Sequence, residues 1–75
     1  MLLLKKEKPE IAYTLRMAMT EEALMPTIMV MYRVGEHKEV WNVCSHMCAG
    51  RGLTRAESLI VVRNAEERAK RRMGA

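Results

Sequence analysis

The run "TRAE", Thr54 to Glu57, constrains this chain more than any other four residues. A threonine followed three positions later by glutamate is a capping box, in which each side chain takes the backbone N–H at the other residue. It opens the longest helical pattern in the sequence. Ser58, Val61, Val62, Ala65, Ala69 and Met73 recur at helical spacing and form an apolar stripe, whereas Arg55, Arg63, Glu66, Glu67, Lys70 and Arg71 lie largely off it. Everything upstream must supply the surface that this stripe covers.

The upstream half alternates. In "IAYTLRMAM", residues 11–19, Ile11, Tyr13, Leu15, Met17 and Met19 fall at every second position, the period of a strand with one buried face. A competing helix would start at Pro9 and carry Ile11, Leu15 and Met19 at fourfold spacing, favoured by the many Met, Ala, Leu and Glu residues. The strand is the reading adopted. "TEEALMP" then reads as about a turn and a half of helix, capped by Thr20 and stopped by Pro26. "TIMVMYRV", residues 27–34, alternates again, "GEHK" has the length of a hairpin turn, and "EVWNVCSHM" resumes β-rich residues. Residues 27–47 thus read as an antiparallel hairpin. The expected fold is α+β: an antiparallel meander of about three strands with the long C-terminal helix packed on one face. Residues 9–73 form one domain and residues 1–8 a flexible N-terminal segment.

At 75 residues the core is small, and with no Phe it must be built from aliphatics and Met. A chain of this size gains from association or a partner. No apolar run approaches the roughly eighteen residues of a membrane span, and "MLLL" is short for a signal peptide, so a cytoplasmic protein without membrane contact is expected. Charge is uneven: residues 49–75 hold seven Lys/Arg against three Glu, so the whole net +4 lies in the last third. A local basic field attracts acidic partners, nucleic acid above all.

"NVCSHMCAGRG", residues 42–52, concentrates the side chains with chemistry. On a strand, Cys44, His46 and Cys48 share a face but leave the two sulfurs about 13 Å apart, too far for one zinc ion. No metal and no cofactor are expected, and the cysteines read as small apolar residues. There is no Asp to orient an imidazole, and neither paired carboxylates nor a phosphate-cradling Walker sequence is present, so the chain reads as non-enzymatic. "GRG" is more informative, because Arg51 and Arg55 flank glycines and a capped helix start where an anion could sit. The alternative is that Gly50 and Gly52 merely supply the turn into the helix.

Gly35, His37, Trp41, Gly50, Gly52 and Thr54 together resemble the loop, aromatic and Gly-x-Gly stretch of double-stranded-RNA-binding domains. That resemblance implies RNA contact at the helix start. "RAESL" departs from the family's lysine cluster there, and Trp41 to Thr54 leaves little room for its third strand. Met29 and Met31 lie opposite Ile28, Val30 and Tyr32 on the second strand, an apolar face free for a partner or a homodimer seam.

The leading expectation is a binding module whose basic third, through Arg51, Arg55, Arg63, Lys70 and Arg71, engages nucleic acid or a nucleoprotein complex. The rival is a small protein inhibitor that blocks a partner through Met29 and Met31. In size and layout it resembles the compact anti-CRISPR and other host-takeover proteins of phages.

Overall fold

A computed structural model describes residues 11–74, and all of their regular secondary structure is helical. Helix α1 spans Leu15–Arg33, α2 spans Val40–Gly50 and α3 spans Arg55–Arg72, with one 3-10 turn, His37–Glu39, leading into α2. The α+β expectation is overturned: no strand occurs among the described residues, and the three helices form a small bundle. The expected flexible segment 1–8 lies outside the described residues.

The strands expected at 11–19 and 27–34 are two parts of α1. Thr14 caps it, its Oγ1 accepting the Met17 N–H at 3.1 Å. The side chains that α1 buries are Met17, Thr20, Glu21, Leu24, Met25 and Ile28, at the three- and four-residue steps of a helix. Met31 and Tyr32 continue that stripe, half-buried. Pro26 does not stop the helix but lies inside it. Its ring forfeits the hydrogen bond to the Glu22 carbonyl. Both residues are exposed, so water can take that carbonyl while Leu24, Met25 and Ile28 anchor the helix on its other side.

The "GEHK" segment is a helix terminator, not a hairpin turn. Gly35 at φ +79° follows the C-cap Val34. The Gly35 N–H donates to the Tyr32 carbonyl at 3.2 Å and the Glu36 N–H to the Met31 carbonyl at 2.8 Å, a complete Schellman motif. The strand expected over 39–47 is α2, where Val40, Cys44 and Cys48 at fourfold spacing make the buried face.

Helix α3 fulfils the expectation made for it. Both bonds of the capping box are present, Thr54 N–H to Glu57 Oε1 at 2.8 Å and Glu57 N–H to Thr54 Oγ1 at 3.1 Å. Ser58, Val61, Val62, Ala65 and Ala69 are buried as the stripe requires, and only Met73 remains exposed. Its most extensive packing is against α1, with α2 lying against both. Alanines at 65 and 69 let the helices approach closely, and the core has Leu24, Ile28, Val40 and Val61 fully buried. The buried hydroxyls return to their own helix: Thr20 donates to the Arg16 carbonyl at 2.7 Å and Ser58 to the Thr54 carbonyl at 2.8 Å.

Candidate functional site

The turn between α2 and α3, Arg51 to Thr54, is where the expected anion site falls, and its backbone is already committed. Arg51 and Leu53 donate their N–H groups to the Cys48 carbonyl at 3.0 and 3.1 Å, and Gly52 donates to Ala49 at 3.0 Å. The amides of Thr54 and Glu57 serve the capping box. Gly52, at φ +88°, is the left-handed residue ending α2. The glycines therefore terminate one helix and admit the next, and what remains for an anion is the first-turn amides of Arg55 and Ala56 and the side chains around them.

Those side chains are arginines. Arg51 is exposed at the C-cap of α2 and Arg55 at the first turn of α3, its guanidinium 5.6 Å from the centre of the half-buried Trp41 ring, within cation–π range. A hollow of about 260 Å³ between Trp41, His46, Arg55 and Ser58 adjoins this pair. Farther along α3, Arg63 and Lys70 project from the outward face and Arg71 lies beside them, all exposed. From Arg55 to Lys70 the helix advances about 22 Å. The three glutamates of α3 differ in their surroundings: Glu57 is held in the capping box, Glu66 is half-buried beside Tyr32, whose hydroxyl pKa is raised first by burial and then by that charge, and Glu67 is exposed.

Arg68 is the exception among the basic residues. Its guanidinium binds Glu21 at 2.8 Å and Glu22 at 2.6 Å, clamping α3 to α1. Tyr13 donates its hydroxyl to Glu21 from the other side, and burial followed by that bond pushes its pKa up to about 12. The clamp holds the Glu22 carboxyl below the usual range, first by the hydrogen bond from Arg68 and then by its charge. Sequence reading missed this cluster, because its members are 46 and 47 positions apart.

It also missed Arg16. Set within an apolar alternation, Arg16 is carried by α1 to the α2–α3 turn, where its Nη1 lies 2.9 Å from where a Cβ on Gly52 would stand. Only tertiary packing brings it there, and no local pattern announces it.

The cysteines are not divergent strand residues. Cys44 and Cys48 share one buried face of α2, and burial pushes the Cys44 thiol up to about 11 and raises that of Cys48, the latter opposed by the neighbouring Ser58 hydroxyl and the charge of Arg51. His46 is exposed, away from that buried face. His37 stacks on Tyr32, ring centres 4.7 Å apart. Among the described residues no three His, Cys, Asp or Glu side chains gather as a metal-binding group would. Met29 and Met31 are half-buried against the edge of the core, and the sheet face expected to carry them does not exist. The elements resembling double-stranded-RNA-binding domains fall in helices and helix caps instead of strands, so that likeness does not extend to the fold. No helix of the described residues is long and apolar enough to cross a membrane.

No protein-family model matches the chain, and neither a curated protein nor a solved structure is found similar to it.

Proposed function

We propose that this protein is a non-enzymatic binding module that engages the phosphate backbone of nucleic acid, free or within a nucleoprotein complex, through the α2–α3 turn and the outward face of α3. One observation carries the reading: Arg51, Arg55, Arg63, Lys70 and Arg71 form no ion pair with a carboxylate among the described residues, whereas Arg68 does. The fold thus spends one cation of the basic third on its own stability and leaves these five facing water. Two helices joined by a four-residue turn containing glycine are also a common frame for presenting a helix to a duplex. Trp41 beside Arg55 adds a ring on which an unpaired base can stack.

Backbone contacts release condensed counterions, so affinity must fall linearly with salt on logarithmic axes, by about 0.7 to 0.9 per contact. Fluorescence anisotropy with labelled duplex and single-stranded oligonucleotides across a salt series reads that slope. Replacing Arg63 and Lys70 together by Ala should flatten it by up to about two units with little dependence on base sequence. Binding weaker than about 10⁻⁴ M near physiological salt to both forms would refute the proposal.

The competing reading, a small inhibitor that blocks a protein partner, draws on a different surface. Its support is the exposed apolar face of α1, since the half-buried Met29 and Met31 offer less area than expected. Association of two copies, expected from the small core, is read by light scattering on the same sample.

A further inference from the structure

Helix α1 is apolar on both sides. Opposite its buried stripe, Leu15 is 75% exposed, Met19 57%, Val30 53% and the C-cap Val34 64%. With Pro26 they fall at positions i, i+4, i+11, i+15 and i+19, a single line along the helix. Leu15 and Met19 recur eleven positions later as Pro26 and Val30, three turns or about 16 Å away. A hollow lies at each place, about 430 Å³ among Leu15, Arg16, Met19, Thr20 and Arg51, and about 350 Å³ among Pro26, Thr27, Val30 and Met31. Isolated surface apolar residues need no explanation, but a continuous line with two hollows in register has the form of a groove for a helix.

Charge identifies the occupant. The first hollow is walled by two guanidinium groups, Arg16 and Arg51, and neither meets a carboxylate among the described residues. Arg33 stands at the other end of the line. A second copy of the chain fits this badly. Paired antiparallel, the line would set Arg16 near Arg33, and paired parallel, Arg16 near Arg16, in each case cation against cation at a net charge of +4 per chain. Its one carboxylate, Glu22, is held by Arg68. Nucleic acid is acidic but has no apolar edge to lay along Leu15 and Val30.

We propose that the outward face of α1 docks an amphipathic helix of a protein partner, with two apolar anchors eleven residues apart and acidic side chains at the end lying over Arg16 and Arg51. Arg51 borders both surfaces, but Leu15, Arg16, Met19 and Val30 lie on α1, away from the outward face of α3, so the two proposals are separable by substitution.

The test uses a helical peptide of about 18 residues with leucines eleven apart and glutamates at one end, and a twin with lysines in their place. Methyl NMR on the full chain should show shifts at Leu15, Met19 and Val30 on adding the acidic peptide. Two exposed ion pairs give it an advantage of about two- to thirtyfold over its twin at low salt, shrinking as salt is added. Arg16→Glu, whose fold is checked by circular dichroism, leaves one carboxylate against Arg51 and should erase the preference, and Met19→Glu should abolish binding of both peptides. Arg55→Ala with Arg63→Ala should weaken oligonucleotide binding and leave peptide binding unchanged. Equal affinity for the twins, or no shifts with the acidic peptide at millimolar concentration, overturns the proposal. So does a wild-type dimer in light scattering that Met19→Glu dissociates, because the occupant would then be a second copy.

Discussion

Replacing Pro26 by alanine should stabilise the protein. Proline in a helix interior is about 3 kcal/mol less favourable than alanine, through the lost N–H and the clash with the carbonyl four residues back. Pro26 lies inside α1, and its side chain is exposed, so the substitution removes no core atoms. Part of the gain is offset in the unfolded chain, which proline stiffens by about 0.4–1 kcal/mol. The net gain is about 2 kcal/mol, against a total stability of about 4–11 kcal/mol for a chain of this length. In a domain this small each kcal/mol moves the melting midpoint by about 4–8 °C, so Tm should rise by about 8–16 °C. Circular dichroism melts and urea titrations of wild type, Pro26→Ala and Pro26→Gly read the effect, with the order Ala, Gly, Pro from most to least stable. A proline in a turn between two strands gives the opposite sign, because there its rigidity favours the native state. Pro26→Ala at or below wild-type stability would show that no continuous helix passes through residue 26.

Leu24 is fully buried between the helices, and Leu24→Ala should cost about 2–5 kcal/mol, enough to leave the urea-unfolding midpoint near zero if total stability is at the low end. Gly52→Ala should cost about 1–2 kcal/mol in the same titration, because φ +88° strains any side chain and the added Cβ would displace Arg16. The buried thiols should resist alkylation of the native protein at neutral pH and react on unfolding. Since the folded Cys44 pKa is raised to about 11, its stabilisation is complete below the unfolded value of about 8.5 and is lost as pH rises through about 11. Cys44→Ala should therefore flatten the alkaline loss of stability. At the acid end the sign is reversed: Glu22 has a lowered pKa, so its contribution is present above the unfolded value near 4.3 and is lost as pH falls through the folded one. Melts between about pH 2 and 6 should show a shallower acid limb in Arg68→Ala.

The legible parts of the sequence were those where one local rule acted alone. Thr54 and Glu57 announce α3 because a capping box satisfies orphan amides whatever packs above it, and the stripe from Ser58 to Ala69 has no competing period. The glycines were legible as turn residues but not in kind, since a glycine following alternating apolar residues ends a hairpin strand or a helix equally well. Gly35 ends a helix here because Glu36 and Gly35 can return their N–H groups to Met31 and Tyr32. Arg55 and Arg63 were legible as exposed cations, whereas Arg16 and the Arg68 clamp depend on which helix lies over which. Residues 11–34 misled for a different physical reason. A period of two appears in a helix when it carries apolar side chains on both sides, and α1 does: Met17 is buried while its neighbours in the alternation, Leu15 and Met19, are exposed, and Ile28 is buried while Val30 is exposed. Those alternating residues that do not reach the core, Leu15, Met19, Val30 and Val34, are thus the ones the bundle leaves uncovered. The false period and the groove on α1 have one cause, a second apolar face for which these three helices provide no cover.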